Sequence, residues 1–554
     1  MTATAKTSPF LRKPEIQLTL ILAMVLIAVI PIIIYRDFTP SNELRYLSIA
    51  DESLETGRWW AFTNHGAPYA DKPPLYLWCI MLGKWLSGCH RMWLYSLFSI
   101  IPAFITGIVM FRWTLEELDE KFRTASLMML FSCGLFAGMV FTLRMDMLMT
   151  MFIVLALRSF RRLEMSEEKP GLRPRLLFAL WIFLAVFSKG PMGILIPLAA
   201  TTAWLALTRR MRLWTRAWGW PTWCLLVALC AGWFGAVYAE GGTEYLDNLL
   251  VHQTVGRAVN SFHHKRPFWY YLVSLTYTLL PWTFVIFGAV VYGIRKYRRS
   301  GESLFDYFVV IVLVTFVLLS LISSKLQVYM LPAYPFMVYA GAMVCCRHKD
   351  SGLVKAGIAV PAAILLLIAV AEPLVSGTEW FASYGIDLDS IPDIRFAWYV
   401  MMSGGFLTLL CLYRDRSVSR AIDTLSLTVL GLVFVGGFAI RGLNADMGYK
   451  AISEEALALR EAHPAAGIMT WKLHRPDNID VYLDGVPFRM VEPSDSTATM
   501  PMAGYPAIVM TRRADMQEVP GVMETRFVGR DYAVLYCDTT ATSSHSTLNP
   551  SLNE

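Results

Sequence analysis

Apolar runs of helix length recur along most of this chain, at about 18–35, 93–111, 124–142, 145–160, 175–191, 192–207, 219–239, 270–294, 304–322, 327–346, 354–372, 396–413 and 424–440. Such runs suit helices that cross about 30 Å of hydrocarbon, so the pattern predicts about thirteen spans. Two stretches depart from it. Between Arg36 and Arg91, polar and aromatic residues replace the apolar run. After about residue 445, charge, Pro and Gly rise and the long apolar runs end. There, short β-like runs (Gly467 to Trp471, Ile479 to Tyr482, Ala507 to Thr511, Thr525 to Val528, Ala533 to Tyr536) alternate with turn residues and a helical patch, Ser453 to Ala462. The expected organisation is a polytopic α-helical membrane unit over 1–445, with 36–91 as a large external loop. A small α/β domain over 446–538 and a disordered tail over 539–554 follow. His474 and Asp480 lack metal-ligand spacing and read as surface residues of that domain.

Composition agrees with the pattern. Of 554 residues, 55% are hydrophobic and only 17% charged, and the mean hydropathy of +0.46 lies outside the range of soluble globular proteins. The first apolar segment follows Arg12 and Lys13 and runs into Pro31 and Tyr35 without a small-x-small cleavage pattern, so it reads as an uncleaved anchor. The nine cysteines are scattered with no CxxC, which points away from a disulfide framework or a zinc cluster.

Charge placement orients the spans. Basic links hold Arg158, Arg161, Arg162, Arg173 and Arg175, then Arg209, Arg210, Arg212 and Arg216; others follow at 295–299, 347–355 and 414–420. The positive-inside rule puts these links and the N-terminus in the cytoplasm. The opening loop and the C-terminal domain then face outward, on the periplasmic side of a bacterial-type inner membrane.

The outward links are poor in Lys and Arg, which makes their few charges conspicuous: Arg144 and Asp146, Lys189, Arg257, His263 to Arg266, and Lys325. Ionisable groups at a membrane boundary are functional candidates, although any one alone reads as a snorkelling residue. Lys72, Arg144, Lys189, Arg257 and Lys325 supply donors for a phosphate or pyrophosphate. Tyr69, Tyr76, Trp59 and Trp60 suit sugar stacking or interface anchoring. Glu43, Asp71 and Asp146 supply a general base or metal ligands. No Walker A loop, dinucleotide fingerprint or kinase set appears, and no nucleic-acid partner is expected. A lipid-phosphate donor presented within the bilayer explains both the membrane body and the outward cations.

These residues, taken in order, resemble the GT-C glycosyltransferases that use polyprenyl-phosphate sugars. The similarity is greatest to the branch of the lipid A 4-amino-4-deoxy-L-arabinose transferases, with protein O-mannosyltransferases as more distant relatives. It rests on Glu43-Leu44-Arg45-Tyr46, Asp71-Lys72-Pro73-Pro74, Arg144-Met145-Asp146, Ser188-Lys189-Gly190, His264 to Tyr271, and Ser324-Lys325 with Tyr329, Pro332 and Pro335. The resemblance implies a GT-C-like body of about thirteen transmembrane helices with an outer α/β domain. It also implies Lys72 on the donor phosphate, Lys325 and Tyr329 along the donor pocket with Tyr69 nearby, and a divalent metal (zinc or another) at Asp71 and His264. Asn42 stands where the family usually has an acidic residue. An amide cannot take a proton, so either Glu43 or Asp146 supplies the base beside Arg45, or the acceptor needs none.

The expected partners are a polyprenyl-phosphate-linked sugar, membrane lipid, and an acceptor that is lipid A, another glycan or a protein hydroxyl. A transporter or lipid flippase is the rival reading; it predicts mid-span charges and repeated halves. An assembly protein with the outer domain as its binding module is a second, and it leaves the chemistry of the first loop unexplained.

Overall fold

The computed structural model describes residues 13–40, 42–250, 266–300, 303–375, 394–491, 499–501, 504 and 506–538. Its helices are α1 (Pro14–Tyr35), α2 (Glu43–Thr56), α3 (Pro74–Ser87), α4 (Met92–Trp113), α5 (Glu120–Phe131), α6 (Gly134–Met139), α7 (Asp146–Met165), α8 (Leu172–Lys189), α9 (Met192–Leu207), α10 (Trp214–Ala217) and α11 (Trp220–Asp247). They continue as α12 (Tyr270–Thr278), α13 (Thr283–Ser300), α14 (Leu304–Leu321), α15 (Tyr334–Arg347), α16 (Gly352–Val375), α17 (Ile394–Tyr413), α18 (Val418–Met447) and α19 (Lys450–Ala462). Every expected apolar segment coincides with one of these helices or with a pair of short ones. Among the described residues, eight helical stretches are long and apolar enough to cross a membrane, and Met192–Leu207 and Thr283–Arg295 are shorter apolar helices. The chain is a multi-pass membrane protein.

Local chemistry sets several boundaries. Asp119 accepts the Phe122 amide at 3.1 Å and starts α5. Ser303 and Asp306 form a reciprocal cap on α14. Gly57 and Gly88, both at positive φ, end α2 and α3.

The links segregate to two ends. At one end Arg112 meets Glu15 and Arg347 meets Glu117, and Glu164 is buried against Arg161 and the indole N–H of Trp204. The basic links lie at this end. At the other, the loop between α1 and α4 folds into α2, a hairpin of β1 (Thr63–Asn64) and β2 (Ala67–Pro68), and α3. His65 and Gly66, at φ 52° and 75°, make the two-residue hairpin turn.

The C-terminal part holds a five-stranded sheet of β3 (Gly467–Trp471), β4 (Phe488–Val491), β5 (Ala507–Arg512), β6 (Val522–Val528) and β7 (Tyr532–Cys537) in the order β4-β3-β5-β7-β6. β4, β3 and β5 run parallel, while β7 is antiparallel to β5 and β6. The two-residue period sends Ile468, Ile508, Met510 and Val534 to one face and Met469, Val509, Ala533 and Leu535 to the other. The first face shares a core with α19 and with Leu44, Leu47, Ile49, Tyr76 and Ile80 of the opening loop.

Two expectations change here. Ile479 to Tyr482 is not a strand; it belongs to a 3-10 turn, Pro476–Tyr482, and Ile479 packs into the shared core. Asp480 is not a plain surface residue, because its carboxylate accepts the Ser48 hydroxyl of α2 at 3.0 Å and lies 3.9 Å from His65. His474 is exposed, as expected. The tail at 539–554 lies outside the described residues.

Candidate functional site

The polar end of the helices gathers most of the charged residues singled out in the sequence. Asp146 opens α7 and is 1% exposed. Arg144 Nε donates to it at 3.2 Å, and Lys189, the last residue of α8, donates to its other oxygen. The Lys189 ammonium also sits 4.5 Å from the centre of the Tyr329 ring, carried by the 3-10 helix Gln327–Ala333. Two links thus meet on one carboxylate, and a third reaches Lys189 through the Tyr329 ring. Its charge leaves Arg144 and Lys189 with close to one net positive charge between them.

Lys325 is 3% exposed in the link between α14 and that 3-10 helix. Its ammonium donates to the backbone carbonyls of Arg266, at 3.2 Å, and of Ile322. Among the described residues it forms no salt bridge. Burial pulls its pKa below the usual lysine value. A buried ammonium held only by carbonyls is poised for an anion.

Glu43 is held by residues that the motif did not mark. It is 1% exposed, and Arg36 clasps both its oxygens with a fork at 2.8 and 2.9 Å. The amides of Thr39 and Leu143 donate to the same oxygens at 2.8 and 3.1 Å. With four donors on one carboxylate, little acceptor capacity remains to receive a proton from an acceptor molecule. Glu43 fastens the opening loop to the Leu143-Arg144 link instead. Its partner is Arg36, not Arg45. Asn42 precedes α2 without a side-chain cap bond, and Arg45 is half-buried one turn along.

Tyr46 connects the two groups of charges. It is 4% exposed, and its ring meets that of Tyr76 at 5.6 Å. Burial pushes its phenol up to about 12, with the charges of Arg144, Asp146, Arg45 and Asp71 all acting on it. At neutral pH it is therefore a hydrogen-bond donor and not a base. The Tyr76 hydroxyl is buried with no partner among the described residues. Both tyrosines are buried, unlike Trp59 of the same loop, which is exposed.

Asp71 and Lys72 are half-buried just before Pro73 and Pro74, which begin α3. Tyr69 precedes them; its amide donates to Phe62 at 2.8 Å and its carbonyl accepts the Tyr245 hydroxyl at 2.6 Å. Arg257 and His264 lie outside the described residues. Among the described residues no three His, Cys, Asp or Glu side chains are placed to hold a metal ion. The expected pair of Asp71 and His264 lies partly outside the described residues.

No family model matches the chain. An undecaprenyl phosphate-alpha-4-amino-4-deoxy-L-arabinose arabinosyl transferase of Edwardsiella ictaluri is 26% identical over 395 residues, covering 68% of this chain and 69% of its own. A transferase of the same name, numbered 1, from Pseudomonas fluorescens is 24% identical over 495 residues, covering 84% and 82%. Among solved structures, ArnT from Cupriavidus metallidurans bound to undecaprenyl phosphate superposes with a TM-score of 0.71 at 16% identity, over 94% of this chain and 98% of that one. The chain shares that GT-C fold.

Proposed function

We propose that the chain is a membrane glycosyltransferase that moves a sugar of the 4-amino-4-deoxy-L-arabinose class from undecaprenyl phosphate to lipid A or another envelope acceptor. The observation that carries this reading is Lys325, a buried cation without a carboxylate partner among the described residues, at the same end as Lys72 and the Arg144–Asp146–Lys189 group. The names of the relatives support the donor. The Lys and Arg bias of the links supports a periplasmic site, with the N-terminus in the cytoplasm and residues 446–538 as an outer unit over the first loop.

In the reaction an acceptor oxygen attacks the sugar C1 as the bond from C1 to the lipid-phosphate oxygen breaks, inverting the anomeric centre. The electron pair leaves with the phosphate. Lys72 and Lys325, with the net charge on Arg144 and Lys189, stabilise that leaving group electrostatically, with no covalent enzyme intermediate. Glu43 and Asp146 are both tied to cations, so neither is available as a strong base. A phosphate acceptor, already ionised, fits this site better than a Ser or Thr hydroxyl.

Turnover of a synthetic undecaprenyl-phosphate sugar by the detergent-purified chain tests the reading. Lys72→Ala and Lys325→Ala are each expected to lower kcat/KM by about 10²–10³-fold, the usual size for a lost donor to developing charge. Unaltered turnover in both overturns the site.

A further inference from the structure

Lys72 can meet a phosphate only if the stretch before it is held still, and the restraint comes from a distant helix. α11 runs from Trp220 to the polar end, where Gly242 leaves helical geometry at φ 71° and ψ −173°. Just before this break, one oxygen of Glu240 accepts the amides of Trp59, Trp60 and Ala61 at 2.9, 3.0 and 3.0 Å. Just after it, the Tyr245 hydroxyl accepts the Phe62 amide at 3.1 Å and donates to the Tyr69 carbonyl at 2.6 Å. Four consecutive amides and one carbonyl of the loop are therefore held by two side chains of α11. Successive amides of this kind form a concavity for an anion, and here the chain's own carboxylate occupies it.

The contact is close in backbone terms as well. A Cβ at Gly241 would stand 2.6 Å from that of Ala61. On the loop's other side, the Trp78 indole donates to the Trp59 carbonyl at 2.7 Å and its ring packs edge-on to Trp60 at 4.8 Å. Only Ala70 and Asp71 separate the Tyr69 carbonyl from Lys72, and Pro73 and Pro74 follow with fixed φ. Lys72 is thus bracketed by a clamp and a rigid helix start.

We propose that Tyr245, assisted by Glu240, is a positioning residue that fixes the Lys72 ammonium for the donor phosphate. This rests on the function proposed above. Neither side chain needs to touch the substrate. Because both are supplied by α11, the donor site draws on a helix that carries none of its described phosphate-binding candidates.

The test uses the purified full-length chain, with undecaprenyl phosphate as the binding probe and the synthetic donor for rates. Tyr245→Phe is expected to raise the undecaprenyl phosphate Kd and the donor KM by about tenfold, within the range for a misplaced group. The acceptor KM should stay unchanged, which a general loss of fold would not allow. Glu240→Gln should retain more donor affinity than Glu240→Ala. Adding Tyr245→Phe to Lys72→Ala should weaken binding no further, because both act through one contact. Wild-type donor affinity in Tyr245→Phe, alongside weakened binding in Lys72→Ala, overturns this inference alone. Wild-type affinity in Lys72→Ala overturns the donor-site reading on which it rests.

Discussion

Glu43 illustrates how one residue changes meaning once its neighbours are known. A carboxylate beside an arginine in a reactive loop invites a base, yet Arg36 and two amides occupy it. Glu43→Gln removes the charge from a buried pair and leaves Arg36 uncompensated. A loss of about 3 kcal/mol is expected, seen as a lower unfolding temperature. Activity per folded molecule should survive, whereas loss of a true base would depress kcat in a fully folded enzyme. Asp480 offers a test in pH. Burial raises its carboxyl above the usual range, although His65 draws it down. Its stabilising contribution is then present below the ordinary carboxylate pKa and is lost as pH rises through the folded value. Asp480→Asn should therefore raise the unfolding temperature near pH 7, and the gain should disappear below about pH 4.

At the level of elements, the turn from α8 to α9 places Lys189. A Cβ on Gly193 would lie 2.3 Å from the backbone of Ala185 and Val186, so the two helices approach as only glycine allows. Gly193→Ala should force them apart at a cost of about 1–3 kcal/mol. Lys189 would shift from Asp146 and Tyr329, and a fall in both thermal stability and turnover should follow. The helices themselves were legible in the sequence because a bilayer demands apolar runs of fixed length. The 3-10 turn at Ile479 was not, since its alternating Ile-Asp-Val-Tyr mimics a strand while Pro476 sets a turn. β4 was missed because four residues at a sheet edge give too short a period to detect. Arg36 was missed for a related reason. Arg45 is nearer to Glu43 in sequence, but residues two apart on a helix do not share a face.

For the whole molecule, charge bias and folded geometry divide the links into the same two ends. The polar end collects Arg144, Asp146, Lys189 and Lys325, which the motifs had marked out in order. Hydropathy and charge located these residues. The clamps behind them depend on contacts between distant segments, which no local pattern records. The shared core gives the clearest molecular prediction. A chain ending at residue 445 removes Tyr449, Ile452, Ile468, Ile508 and Met510 from beneath α2 and α3. Limited proteolysis of that truncated form should cut between 36 and 91 at rates well above those of the full chain, while α4 to α9 remain protected within the bilayer.

That core also sets a timetable. The Phe38 amide finds its partner in the hydroxyl of Tyr482, and the Ser48 hydroxyl finds its own in Asp480. A ribosome delivers the opening loop early and those partners near the end. The loop must therefore wait through the synthesis of nearly every span. Contacts of such sequence separation form late. The segment made almost first is among the last to become native, and until the chain is nearly complete Lys72 stands on an unfinished scaffold.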